Sequence, residues 1–440
     1  MLLPAIVFSQ FAGTSLWFAG NAVLGDLQLA GAGGARELQW ITQAVQLGFI
    51  CGTLVFALFA VADRASPRLV FLLSSLAGAL ANLAGAYVAW DVASLMIMRF
   101  CTGFFLAGIY PVGMKVAAGW YERGLGSALG LLVGALVLGT AFPHLLQALG
   151  SAGLLEATAA GGPERARIIL GLVSLLAVVG GFALYILVPD GPFLQKREPA
   201  REHKSEYEDQ QPRENISQAN PFSHSVSATP ALTSSAPTIF TIFRDGDFRR
   251  AALGYFGHMW ELYAFWAFTP IFLAALFSKS APGHAISVGD ANISLWSFLI
   301  IAIGFFGCAI GGYISLRIGS ARVAFSQLAI SGGMCLLSPL LFWDVVPLPL
   351  ALAGMLLWGF TVIGDSPQFS ALVAATAPRE LVGSALTIVN SIGFALTIVS
   401  IEVLGWWATT ISNPAWLFVV LAPGPIAGLL ALRGILRDSG

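Results

Sequence analysis

Apolar residues run along the chain in blocks about as long as a bilayer is thick, separated by short polar turns. Twelve blocks stand out: Leu2–Leu24, Trp40–Ala62, Leu69–Ala89, Val92–Met114, Leu125–Leu149, Ile168–Val188, Ala251–Leu276, Ile293–Leu316, Val323–Phe342, Leu348–Val373, Ser384–Trp407 and Pro414–Leu432. A spanning helix needs about 20 predominantly apolar residues. Strands of a membrane barrel would be about 10 residues long and alternate in polarity, and these blocks do neither. The pattern predicts an all-α polytopic membrane protein with twelve transmembrane helices. The first block lacks a basic leading region and a small-residue cleavage site, so it reads as the first span rather than a secretory signal.

One long polar segment interrupts the series. From Pro189 to Arg250 the chain carries mixed charge, Pro and Ser, a composition that buries no core. It predicts a flexible cytoplasmic linker (189–250) between two six-helix halves, 1–188 and 251–440. Asn215-Ile216-Ser217 fits a glycosylation acceptor but carries no meaning on the cytoplasmic side. Composition closes off other classes. Charged residues make up 10% and hydrophobic residues 57%, against roughly 25% charged in a soluble domain. Four cysteines in 440 residues, all inside apolar runs, are neither a disulfide scaffold nor a metal set. A net charge of −1 provides no field for nucleic acid.

Lys and Arg set the orientation. With twelve spans both termini share one side, and that side holds 17 basic residues against 4 on the other, or 9 against 4 without the linker. The excess predicts cytoplasmic termini in a cell (inner) membrane.

The halves repeat one another weakly. Gly126-Ser127-Ala128-Leu129 opens the fifth span and Gly383-Ser384-Ala385-Leu386 the eleventh, 257 residues on. The polar turn Asp63–Arg68 after the second span corresponds to Leu316–Arg322 after the eighth, at an offset of 253. Parallel duplicated halves are a transporter architecture. At this point the sequence resembles the major facilitator superfamily. The family's loop after helix 2, Gly-x-Leu-Ala-Asp-Arg-x-Gly-Arg-Arg/Lys, is matched by Asp63, Arg64 and Arg68; Phe59, Ser66 and Pro67 depart from it. In the second half Gly312, Arg317 and Gly319 match, while Leu316 stands at the Asp position. The family's Arg-x-x-x-Gly of helix 4 is present as Arg99–Gly103. The Gly-Pro-x-x-Gly-Gly of drug/proton antiporters is absent, since Ala135 follows Gly134. Gly254–Glu261 is similar to uncharacterised bacterial members. The resemblance implies a secondary transporter without cofactor, not an enzyme and usually a monomer, whose helices 1, 4, 7 and 10 line a central cavity. It also implies a cytoplasmic gate at Asp63, Arg64, Arg68 and Arg317; the alternative is charge that merely sets topology.

No phosphate-cradling loop with a following Lys and no Ser/His/Asp or Cys/His set accompanies the spans, so an ion or solute gradient is the expected energy source. Ionisable residues inside a membrane are costly and mark functional sites by default. Arg99 in the fourth span suits a carboxylate through its planar fork, or else a structural ion pair. His258 and Glu261 share a face of the seventh span; removal from water favours a neutral carboxyl, which a proton carrier needs. Asp365 lies in Gly364-Asp365-Ser366-Pro367-Gln368, where Pro367 should open the tenth span and expose Asp365, Ser366 and Gln368 to a cavity or form a gating bend. Tyr110-Pro111 predicts a similar bend in the fourth span. Glu402 reads as an outer interfacial group. Gln10, Trp17 and Asn21 are candidate cavity contacts on the first span. The reading favoured is proton-coupled transport of a small organic anion, with Arg99 binding the anion and Glu261 or Asp365 carrying the proton. The alternatives are a proton antiporter for amphipathic compounds, for which twelve Trp and 31 Phe could line a cavity, and a receptor that binds solute without moving it.

Overall fold

A computed structural model describes residues 2–27, 34–59, 61–89, 91–121, 125–154, 161–192, 239–280, 288–378 and 381–438. Most of the predicted linker, 193–238, lies outside the described residues.

Twelve spans follow one another, as the apolar blocks predict. We number them α1 (2–23), α2 (Ala35–Leu58), α3 (Pro67–Tyr87), α4 (Val92–Ala118), α5 (Ala128–Ser151), α6 (Gly162–Leu187), α7 (Gly246–Ser280), α8 (Ala291–Ile318), α9 (Ser320–Phe342), α10 (Leu348–Thr376), α11 (Ala385–Thr410) and α12 (Pro414–Arg437). Eleven are long and apolar enough to cross a bilayer; the first helical segment of α1 is shorter, because that span is split. No strand occurs among the described residues. The helices outrun the apolar blocks, most clearly α7, which starts five residues before Ala251. A short 3-10 turn, Ile239–Arg244, leads into it.

Three spans are broken by turns of three or four residues, and α8 is interrupted at Ile303 alone. α1 consists of Leu2–Thr14 and Ala19–Val23, with residues 15–18 in turns. Here Thr14 Oγ1 donates to Gln10 O and Ser15 Oγ to Ala12 O, the side-chain competition with helical bonding expected of Ser and Thr. α4 breaks into Val92–Leu106 and Tyr110–Ala118, and α10 into Leu348–Val362 and Ser366–Thr376. Both predicted bends are present. In each, the proline (Pro111, Pro367) occupies the first turn of the second segment, where its missing N–H leaves no bond unmade. These breaks are 256 residues apart, close to the offsets of the sequence repeats.

Glycines set the helix crossings at the same interval. A Cβ on Gly48 or Gly52 of α2 would strike the carbonyls of Phe100 and Phe104 on α4, and one on Gly103 the carbonyl of Val45. In the second half a Cβ on Gly307 of α8 would strike Phe360 O, and one on Gly359 of α10 Ile300 O. Gly103 and Gly359 are 256 residues apart, as are Gly48 and Gly304. Close backbone approach through small residues is how helices pack without a hydrophobic driving force.

Within the first half α2 packs on α4, α3 on α6, and α1 against α5 and α6; in the second, α7 packs against α10, α11 and α12. The halves meet along two seams, α2 with α11 and α5 with α8.

Candidate functional site

A cavity opens between the halves. Its two lobes, about 390 and 420 Å³, share Tyr110, Asn390 and Phe394. One reaches Tyr255, Met259 and Tyr263 on α7 and Ile363, Ser366 and Ser370 on α10. The other runs along the α2–α11 seam past Phe49, Thr53, Thr387 and Ser391. The wall is aromatic, aliphatic, hydroxyl and amide; among the described lining residues none is charged.

The cavity ends at a layer of rings. Phe49 and Phe394 face each other across the seam at 4.5 Å. Trp17, from the break in α1, lies 4.8 Å from Phe49 and 5.9 Å from Phe394. Tyr263 lies 5.3 Å from Phe394, and Phe18 and Trp266 extend the layer at 6.3 Å from one another. Beyond the rings, toward the end away from the chain termini, polar bonds join the halves. Gln39 and Gln43 of α2 both donate to Glu402 Oε2, the latter at 2.9 Å, and Gln43 also to Ile398 O at 3.1 Å. Gln147 and Ser151 of α5 donate to Gly289 O at 3.5 and 2.8 Å. The molecule is thus sealed at that end, with its cavity on the terminal side of the seal.

Arg99 does not line this cavity. It is buried, and its Nη2 donates to the carbonyls of Leu16 (2.9 Å) and Trp17, while Nη1 donates to Asn82 Oδ1 at 3.0 Å. The guanidinium therefore occupies two carbonyls in the break of α1, and Asn82 is held in turn by Ser174 and Leu170 O. Trp17 belongs to the ring layer. Asn21 donates to Thr42 Oγ1 at 2.6 Å between α1 and α2. Gln10 packs against Gly113 of α4, both of its terminal atoms lacking a hydrogen-bond partner among the described residues.

Two acids of the second half, Glu261 and Asp365, are wholly buried. Glu261 accepts from Trp358 Nε1 (2.6 Å), Ser331 Oγ (3.0 Å) and Cys335 Sγ (3.4 Å), so it ties α7 to α9 and α10. His258, one turn earlier, points its Nδ1 at Asp365 Oδ1, 2.8 Å away. The imidazole lies 5.9 Å from both the Tyr255 and Phe369 rings, and its Nε2 has no partner among the described residues. Met259 and Ser366, the sequence neighbours of this pair, line the cavity, so His258 and Asp365 stand directly behind its wall. Gln368 is buried but is not among the lining residues.

At the terminal end, the Asp63 side chain lies outside what is described. Arg64 is exposed. Arg68 approaches Asp190, at the start of the predicted linker, at 3.7 Å, beside Ser66 bonded to the same carboxylate at 2.9 Å. Lys115 Nζ donates to Ala62 O at 2.6 Å, and Arg317 to Tyr313 OH at 2.9 Å.

A search for charges missed the cavity wall. Tyr110 stood out only as part of a bend, Tyr255 only within the stretch Gly254–Glu261, and Tyr263 and Phe394 not at all. The available signal was neutral: Asn390-Ser391 interrupts an otherwise apolar stretch of α11.

Two six-helix halves around a shared cavity, sealed at one end, define a polytopic transporter. The chain belongs to the Major Facilitator Superfamily, whose family model matches residues 2–401, and so to a superfamily of secondary transporters working by alternating access. Its fold is similar to that of a bacterial homologue of the human lysosomal transporter Spinster, solved in an inward-facing, unoccupied conformation. The TM-score is 0.60 at 14% identity, over 99% of this chain and 94% of that one. No curated protein matches it by sequence.

Proposed function

We propose that the protein moves a small uncharged or amphipathic solute by alternating access, coupled to protons through the His258–Asp365 pair. The observation that carries this reading is the position of that pair: buried, 2.8 Å apart, one residue behind the cavity wall on both α7 and α10. A proton bound there changes the charge next to the solute site. The organic-anion reading rested on Arg99 reaching the solute. Its amines are engaged by α1 and Asn82, and the described lining carries no charge to offset a buried anion, whose desolvation is expensive. Both points support the amphipathic-solute alternative. Glu261, held by three donors, serves here as a tie between helices. The excess of Lys and Arg in the loops on the terminal side supports cytoplasmic termini in a cell membrane, with the segment between α6 and α7 as the linker between halves and a monomer as the working unit.

The test is uptake in proteoliposomes with a solute identified by thermal-shift screening; a ligand at 100 times its Kd stabilises by about 2.7 kcal/mol. Asp365→Asn and His258→Gln should abolish gradient-driven accumulation while solute-for-solute exchange persists, because exchange needs no net proton movement. Glu261→Gln should retain accumulation with a loss of stability. If Glu261→Gln alone separates the two activities, Glu261 is the carrier; if no variant does, the coupling is not protonic. Labelling of Val345→Cys by an impermeant thiol reagent on intact cells reads sidedness, and labelling only in inverted vesicles would reverse the proposed topology.

A further inference from the structure

The α2–α11 seam changes character along its length. On the terminal side it is open and lined by Thr53, Thr387, Asn390 and Ser391. In the middle the Phe49 and Phe394 rings close it. At the far end the two halves are joined by one carboxylate: Glu402 accepts from both Gln39 and Gln43, which lie one helical turn apart on α2. A Cβ on Gly405 of α11 would meet the Gln39 side chain, so the absence of a side chain there lets Gln39 reach the acid. A carboxylate is an acceptor only and suits two amide donors. Once protonated it carries a donor of its own and faces amide N–H groups with one acceptor fewer.

We propose that Glu402 is a second protonation site, a latch holding the far end shut when ionised and releasing it when a proton binds from that side. This rests on the alternating-access reading, but it concerns a residue remote from the solute cavity and from the His258–Asp365 pair. Other groups near the latch do not substitute for it. On α2, Arg36 sits over the Trp40 ring at 5.3 Å and Glu37 accepts from the Gly34 amide at 3.0 Å. On α11 the neighbours are Ile398, Gly405 and Trp406, and Trp407 donates to Trp416 O of α12. On α7, which packs against α11, Tyr263 lies in the ring layer 5.3 Å from Phe394; Lys279 is bonded to Phe342 O and lies 3.4 Å from Asp344. Glu402 is therefore the acid, among the described residues, whose charge bridges α2 and α11.

The experiment places spin labels on the full-length protein in liposomes, with half-buried Cys51 and Cys101 changed to Ala. One pair, Val88→Cys with Val345→Cys, spans the far end; a second, Leu58→Cys with Leu316→Cys, spans the terminal end. All four positions are exposed. Distances are measured from about pH 8 to about pH 4. In the parent protein the far-end distance should lengthen as pH falls. Glu402→Gln should raise the ratio of open to closed far ends about tenfold at high pH, the scale of one charge-assisted hydrogen bond, and remove the pH response. The Gln39→Leu/Gln43→Leu protein keeps the acid and should open to a similar extent. If Glu402→Gln keeps the parent distances and pH response, or if the double variant stays closed, Glu402 is not a latch. The terminal-end pair tests the underlying reading separately: far-end opening without terminal-end closing supports the latch while contradicting alternating access, whereas both ends rocking unchanged in Glu402→Gln does the reverse.

Discussion

Arg99 illustrates how a residue's worth depends on what its neighbours leave unsatisfied. The break in α1 frees carbonyls inside the membrane, where no water is at hand to donate to them, and Arg99 donates to two. Burying a carbonyl without a donor costs about 1–3 kcal/mol. Arg99→Ala frees two and leaves a void beside Gly20, whose Cα region the Arg side chain packs against; a loss of about 3 kcal/mol or more follows. Arg99→Lys keeps the charge but not the fork and should cost about 1–3 kcal/mol, read as a lower unfolding temperature in detergent. Solute affinity in the surviving Lys variant should equal the parent's; a selective loss of affinity with unchanged stability would return Arg99 to the solute site. That a cation in span 4 is important was legible from the sequence. Its partners were not, because backbone carbonyls appear in no residue list and the break in α1 has no proline to announce it.

At the level of helices, spans and proline breaks were legible and crossings were not. Twenty-residue apolar blocks and Pro111 and Pro367 carry their own physics, whereas 49 glycines give no hint which few lie under a neighbouring backbone. The Arg99-x-x-x-Gly103 spacing now has a physical sense: one turn separates the residue that secures α1 from the one that admits α2. Gly103→Ala and Gly359→Ala should therefore damage equivalent crossings in the two halves. Inserting a methyl into a packed contact costs typically 1–3 kcal/mol, and here the obstacle is backbone on both sides. Each variant should show a markedly lower unfolding temperature, and Gly312→Ala, where a Cβ meets open space, should not. Equal stability of all three would mean that the crossings relax without strain.

For the molecule as a whole, the division into two halves followed from one polar gap and two matched turns, and the breaks and glycine crossings repeat at nearly the same offset. The seal between the halves was not legible, since Gln39, Gln43 and Glu402 lie more than 350 residues apart in sequence and meet only because α2 and α11 run side by side. The ring layer has a thermal consequence. Opening the far end brings water onto the faces of Trp17, Phe49, Tyr263 and Phe394, on the order of 500 Å² for rings that each bury 150–250 Å² or so. The cavity walls that close in exchange are partly hydroxyl and amide. Hydrating apolar surface adds about 0.45 cal/mol/K per Å², so far-end opening should carry a positive heat capacity of about 0.2 kcal/mol/K. Its enthalpy then climbs by about 2 kcal/mol for each 10 degrees, and a plot of the logarithm of the open-to-closed ratio against reciprocal temperature should bend rather than run straight. A straight plot from the same spin-label distances would mean that the rings stay dry, and that the halves part by sliding along the aromatic layer instead of separating through it.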